Sequence, residues 1–465
     1  MPRRLLPVFF ALWFATQATF AADSACTVEV RTKPGAPWRT ENVRLLADLP
    51  LPPAETVPLD RFGGDARVPL HATGFFRVER AAGGRWWLVT PDGHPWYSVG
   101  LAVVKSASGR SAVVREALRE KFGSAANWAE TTTHDLRALG FNSLGAWSET
   151  APLRAVARPL PYTLVHNFMG SYGRKRGGTY PLPGHTGYPE NAIFVFDPEF
   201  ERFCDEFAAA RLPATRDDPW LVGYFSDNEL PFRSRTLDNF LRLPADDPGG
   251  RAARDWLHAR RGSADAAPST DDRATFLGYV ADRYYRIVSA AIRRHDPNHL
   301  YLGSRLHGQA LASEAVWTAA GRYVDVIAAN IYGQWTPDRD RFARWARWSG
   351  RPFLVSEWYV KAEDSGLPNT TGAGWIVRTQ ADRGRFYQHF ALGLLETPSC
   401  VGWHWFRYMD NDPADLSTDP SNRDSNKGIL DIRFTPWTGL TRAMRPLNER
   451  VYDLVDYFDR PGRDS

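Results

Sequence analysis

Short apolar runs that close on polar residues recur along most of the chain, with helically spaced apolar positions between them. The strand-like runs fall at residues 96–104, 140–147, 162–167, 221–226, 299–305, 324–332, 352–358 and 401–408. Amphipathic stretches at 133–139, 199–211, 273–295, 341–349 and 381–395 lie between them. Eight apolar strands alternating with helices predict an α/β fold with a parallel sheet, and so many in one series predict a closed (β/α)8 TIM barrel. The rival, a doubly wound open sheet, would favour a Gly-x-Gly-x-x-Gly phosphate loop after its first strand, which the sequence lacks.

The pattern divides the chain into a leader at 1–21, an N-terminal Pro-rich and β segment at 22–94, and the barrel at 95–460. Arg3-Arg4, the apolar stretch 5–14 and the small residues of Thr19-Phe20-Ala21 read as a secretory signal peptide. Its apolar run falls short of the ~20 residues a bilayer span requires. The mature protein is expected to be soluble and exported, periplasmic or extracellular, with no membrane partner. Residues 74–79 and 85–90 are β-like and lead into the turn Pro91-Asp92-Gly93-His94. Residues 244–272, rich in Ala, Asp, Arg, Gly and Pro with a helical piece at 252–260, interrupt the fourth strand–helix unit. That position predicts an insertion at the catalytic rim; the alternative is a disordered insert. Leu440, Met444, Leu447, Val451, Leu454 and Val455 predict one last helix over 438–460.

Composition narrows the function. The 465 residues carry a net charge of +4, or +2 without the leader's Arg3 and Arg4, too balanced for nucleic-acid binding by counterion release. Three cysteines, Cys26, Cys204 and Cys400, are too few for a disulfide scaffold or a four-thiolate zinc site, so buried free thiols are expected. Aromatic residues make up 13% with 18 Trp, a surplus that would suit stacking on sugar rings.

The sharpest chemical signal is Gly223-Tyr224-Phe225-Ser226-Asp227-Asn228-Glu229, an apolar strand ending in polar residues and acids. A second strand-end acid follows three strands later in Phe353-Leu354-Val355-Ser356-Glu357-Trp358. Barrel active sites lie at the C-terminal strand ends, so Glu229 and Glu357 are placed to face each other across a ligand. Carboxylates about 5–5.5 Å apart give glycoside hydrolysis with retention, one as nucleophile and one as acid/base. Asn228 is a candidate for a sugar 2-hydroxyl, and Tyr332 a candidate donor to Glu357. The plainer alternative is that each glutamate is an ordinary exposed loop acid.

Asn-Glu at the fourth strand, Tyr at the sixth, Glu at the seventh and Trp at the eighth resemble the large retaining clan of (β/α)8 glycosidases. The run Ser356-Glu357-Trp358-Tyr359, with Asp364-Ser365-Gly366-Leu367-Pro368-Asn369-Thr370 and Gly372-Ala373-Gly374, is similar to β-agarases. So are Arg378-Thr379-Gln380, Arg383-Gly384 and Val401-Gly402-Trp403-His404-Trp405-Phe406 with Tyr408 and Asp410-Asn411-Asp412-Pro413. The resemblance runs from about Gly74 to the last helix. It implies Glu229 as acid/base, Glu357 as nucleophile, and an oligo- or polysaccharide partner, an agar-like galactan. Only residues 22–73 separate the leader from the β segment, which leaves no room for the substantial N-terminal carbohydrate-binding domain of larger agarases.

Further candidate contacts sit at strand ends. Trp403 or Trp405 could stack a sugar, and Trp358 and Trp335 could line the cleft. His166, Asn167, Arg305 and His307 occupy rim positions, and Asn330 shares a strand face with Tyr332. The basic stretch Tyr172-Gly173-Arg174-Lys175-Arg176-Gly177-Gly178 is read as a loop, either solvated or holding a sulfate ester. Asp410, Asp412 and Asp415 lack the spacing of a helix–loop–helix calcium site, and no cofactor or metal is expected. Neither His-Glu-x-x-His nor Gly-x-Ser-x-Gly occurs. Two other readings stay open: a β-galactosidase or other galactan hydrolase acting on short oligosaccharides, and a carbohydrate-binding protein without turnover.

Overall fold

A computed structural model of the chain describes residues 26–460 apart from residue 54. The expected leader lies outside the described residues. All eight expected strand runs enter one parallel sheet. They are β1 (Ser98–Leu101), β2 (Ser143–Leu144), β3 (Tyr162–Val165), β4 (Leu221–Phe225), β5 (Leu300–Tyr301), β6 (Ile327–Asn330), β7 (Phe353–Glu357) and β8 (Cys400–Trp405). Neighbours follow chain order, and β8 returns to pair with β1 from Gly402↔Ser98 to Trp405↔Leu101. Between β5 and β6 the ring closes through the bridge Leu306↔Ala329, where Leu306 N donates to Ala328 O and Asn330 N to Leu306 O, both at 2.8 Å.

Strand residues are buried on both faces because helices cover the outside and side chains fill the inside. Val222, Leu302, Val326, Ala328, Leu354 and Val401 form an inner cluster with Phe62, Phe76 and Trp96. Those last three come from the N-terminal segment and its join to β1, so this segment plugs the lower end of the barrel. It also carries strands that the local pattern did not reveal. Thr27–Arg31 and Arg39–Asn42 join Ile376–Val377 and Lys361–Ala362 in a four-stranded sheet. Arg77–Arg80, Trp86–Val89 and Pro95–Trp96 form an antiparallel sheet, stitched to the barrel where Arg85 meets Asp459 and Leu395 O.

The insertion carries its expected helical piece as a longer helix, Pro248–Arg261, capped by Asp247, and the buried Asp272 receives both Arg260 and Arg261. One expectation changes. The single final helix is two, Thr438–Asn448 and Val451–Phe458. Pro446 removes an N–H from the helical ladder, and the buried Asn448 side chain is held by Tyr387 and Leu139 O just before the break.

Inside the ring, the buried His404 of β8 faces β1 and β2, with Nε2 3.1 Å from Ser98 Oγ. It fits because Gly100 and Gly145 lack side chains: a Cβ at Gly100 would stand 2.2 Å from the ring. Burial drives the His404 pKa down to about 3, so the imidazole is neutral. Gly100→Ala should therefore overpack the barrel and cost about 2–3 kcal/mol. Gly278→Ala, inside the helix Thr270–His295, would meet only Ala315 at an ordinary 3.4 Å and should stabilise by about 0.5–1 kcal/mol. Urea unfolding of both variants checks this; equal effects would remove the packing argument.

Candidate active site

The strand ends place the chemistry. Beyond β4, Asp227 turns away from the mouth and accepts from Met169 N (2.9 Å), Gly170 N (3.1 Å) and Tyr284 Oη (2.7 Å). Burial raises its pKa to about 6. With Asp227 pinned, the chain turns, and Glu229 adopts a left-handed φ of +51°, a conformation costing about 1–3 kcal/mol for a residue with a side chain. Glu229 N donates to Arg305 O at 3.1 Å. Glu357 ends β7 and is 6% exposed.

The two carboxylates have different surroundings. Glu357 accepts from the guanidinium of Arg305 at Oε1 and from the hydroxyl of Tyr332 at Oε2. Arg305 is fully buried and also donates to Asn228 Oδ1 (3.0 Å) and Ser356 O (3.2 Å). Burial, then the charges of Glu357 and Glu229, push the Tyr332 hydroxyl far up, so it stays a donor. Glu229 accepts from Asn330 Nδ2 at 2.8 Å, and Ser356 Oγ, donating to Asn330 Oδ1 at 2.7 Å, fixes that amide's orientation. His307 Nδ1 stands 3.7 Å from Glu229 Oε2. Burial raises the pKa of Glu229 above the ordinary carboxyl value, and the negative charge of Glu357 raises it further. His307, Asn330 and Arg305 oppose that rise without cancelling it.

Both glutamates line a cavity of about 600 Å³ with Asn228, His307 and Tyr332. A hairpin after β3, Tyr180–Leu182 paired with His185–Gly187, straps the opening. Its turn residue Gly184 accepts from Asn228 Nδ2 through its carbonyl (3.2 Å) and donates to the Asp419 carboxylate through its N–H (3.0 Å). Trp147, Tyr359 and Phe406 supply the aromatic lining.

Several expected contacts lie elsewhere. Trp403 and Trp405 are two apart on β8, hence on one face, and both point into the helical layer. Trp403 Nε1 donates to Tyr387 Oη and Trp405 Nε1 to Lys427 O; neither reaches the cavity, because His404 takes the inward position. Trp358 is fully buried, stacked on Tyr387 and Phe390, and Trp335 donates to Asn42 O among Phe386 and Trp375. His166 packs against Phe168, Phe207 and Tyr224, and burial lowers its pKa to about 4. Asn167 is the left-handed residue that starts the helix Phe168–Arg176. Arg305 and Asn330 do not line the cavity; they hold Glu357 and Glu229 from beneath.

The expected basic loop is the end of that same helix, its Tyr172 and Gly173 buried and Arg176 paired with Asp197 and Asp247. No residue of the 244–272 insertion lines the cavity. Asp410 is buried and accepts from Asn426, Lys427 N, Gly428 N and Trp437, which shapes the loop after β8. The sequence reading passed over Trp147 and Phe406, although both sit at predicted strand ends. It also passed over the hairpin, whose Pro183-Gly184 pair is a turn signal.

Over this geometry, comparison with known proteins is decisive. A solved structure, BpGH50, is 32% identical, superposes with a TM-score of 0.84, and covers 94% of this chain and 96% of its own. The chain belongs to the GH50 glycoside hydrolases. No protein-family model matches it. Beta-agarase B of Vibrio sp. (strain JT0107) is 24% identical over 84% of the chain, and the chain spans about half the length of that relative. An exo-beta-agarase structure, 24% identical with a TM-score of 0.72, covers 86% of this chain and 67% of its own, and shares the fold. In this GH50 chain, Glu357→Gln should lower the Glu229 pKa toward 4.5, because it removes the negative neighbour that disfavours ionised Glu229. Infrared titration of the carboxyl band reads this directly; an unmoved Glu229 would mean that the pair is not electrostatically linked.

Proposed function

We propose that the protein is an exported, retaining glycoside hydrolase that cleaves β-galactosidic bonds in agar-like galactans. What carries this reading is the unequal treatment of two carboxylates in one cavity. Glu357 accepts from two donors, one of them cationic, which fix both of its oxygens in the position a nucleophile needs. Glu229 is desolvated beside that charge, which favours the protonated acid. The similarity to beta-agarases A and B supports the substrate class.

In the first step a Glu357 oxygen attacks the anomeric carbon while the Glu229 proton passes to the glycosidic oxygen, and the C–O bond breaks. A glycosyl ester on Glu357 and a free sugar hydroxyl result. In the second step Glu229, now ionised, takes a proton from water as its oxygen attacks the same carbon and releases Glu357. Asn228 has its carbonyl oxygen occupied by Arg305, so a sugar 2-hydroxyl would meet its remaining N–H. Trp147 and Phe406 give the cavity lining an apolar aromatic surface against which a sugar would pack.

A second reading, action on short oligosaccharides or chain ends, is favoured by one observation. The strap from Asn228 through Gly184 to Asp419 crosses the opening, which restricts entry of a long chain from the side.

Glu229→Gln and Glu357→Gln should each lower kcat on agarose oligosaccharides by about 10²-fold or more. Proton NMR of the first product should show the β-anomer, and an α-anomer would exclude retention. The reaction needs protonated Glu229, so kcat/KM should fall as pH rises through the pKa of that group. Because this pKa is raised, the alkaline limb should lie above the ordinary carboxyl range near 4.5. A limb at or below 4.5 would refute Glu229 as the acid.

A further inference from the structure

One wall of the cavity carries positive charge that the two-glutamate chemistry does not use. Lys105 lies beyond β1, Arg407 directly after β8, and Lys427 in the loop that follows. Arg407 is 4% exposed and Lys427 2%. Their partners are neutral: Lys427 Nζ donates to Ser421 O (2.8 Å) and Asn422 Oδ1 (2.6 Å), and Arg407 donates to the Ser108 hydroxyl. Arg407 Nε is buried with no hydrogen-bond partner, and so is Asn411 Oδ1 on the same wall.

Apart from Glu229 and Glu357, Asp419 is the carboxylate among the described cavity-lining residues. Its oxygens are taken by Gly184 N and Ser421 N. It forms no ion pair with the three cations within 4.0 Å among the described residues. Burying a cation without an anion is costly, and gathering like charges adds repulsion. Burial first, and neighbouring cations second, lower the pKa values of Lys105 and Lys427. Arg407, lowered to about 10 chiefly by burial, remains charged at neutral pH. Glu149, Asp410, Asp419 and Glu357 offset part of this cost through space, but a cavity wall that gathers three cations with no direct ion pair is arranged for an anion that arrives with the ligand.

We propose that this wall is a subsite for an anionic substituent of the galactan chain, a sulfate ester or a carboxylate, held by Arg407, Lys105 and Lys427. The proposal rests on the galactan-hydrolase reading and names the substrate class of that same cavity. Charge-assisted bonds from guanidinium and ammonium groups to the oxyanion would supply the direct ion pairing that these cations do not find within the protein. The Asn411 carbonyl would accept from a neighbouring sugar hydroxyl.

The test compares kcat/KM on three probes: neutral agarose oligosaccharides, sulfated porphyran oligosaccharides, and galactan oligosaccharides bearing a galacturonate. The wild-type chain, Lys105→Met and Arg407→Gln are measured on each. Lys105 is only partly buried, so Lys105→Met remains informative where Arg407→Gln fails to fold. The expected result is a preference for one anionic probe over the neutral one, with that ratio falling about tenfold in the variants. Preference for sulfate or for uronate identifies which anion the wall takes. Cleavage of neutral agarose with a ratio that the substitutions leave unmoved overturns the subsite alone. Failure to cleave any of the three probes overturns the galactan reading and the subsite with it.

Discussion

Arg305 is fully buried, and through it each glutamate is tied to the other. Its backbone carbonyl accepts from Glu229 N, and its guanidinium donates to Glu357, Ser356 O and Asn228 Oδ1. One residue of the segment after β5 thus sets the ends of β4 and β7 at once. A buried guanidinium without an anion is costly, and breaking such a pair by removing one partner typically costs about 3–5 kcal/mol. Glu357 is therefore needed by the fold as well as by the chemistry proposed for it. The left-handed backbone at Glu229 is held in place by the same contact, which offsets local strain with a hydrogen bond.

The electrostatics of the mouth follow from that arrangement. Because Arg305 and Tyr332 are both committed to Glu357, Glu229 is left with a neutral amide and a more distant imidazole. The difference between the carboxylates thus arises from which strand each ends and which neighbour reaches it, not from residue type. Next to β7, the loop after β8 brings Arg407 and Lys427 to the cavity without ion-pair partners, near enough for the charges of Glu357 and Asp419 to act on them.

How much of this was legible in the sequence depends on the range of the forces involved. The eight strands and the acids at their ends were readable, because a barrel strand buries both faces and must end where the chain meets solvent. The strands at Thr27–Arg31 and Arg39–Asn42 were not, since Val30 pairs with Val377 across most of the chain. The tryptophan surplus misled for a physical reason. Indole serves a sugar cleft and a barrel–helix interface equally well, and composition does not report which surface a ring meets. Trp317 and Trp345 stack at 4.3 Å between two helices, and Trp358, Trp403 and Trp405 gather around Tyr387 in the same layer. The spacing of Trp403 and Trp405 did contain the answer, because positions two apart share a face and His404 between them must take the other.

Asn228 shows why a short motif carries more than its own contact. Its carbonyl oxygen is held by Arg305 beneath the cavity, and its amide nitrogen reaches up to Gly184 O in the strap. Gly184 N in turn is bound by Asp419 from the loop after β8. The path from the buried arginine to the far side of the mouth is a chain of hydrogen bonds, with the amide of Asn228 as its central link. An aspartate at that position would keep the contact to Arg305 and turn a carboxylate oxygen toward the Gly184 carbonyl, where two acceptors repel. The floor would hold while the strap lost its anchor on the β4 side, so the requirement for an amide comes from the roof of the cavity as much as from any ligand.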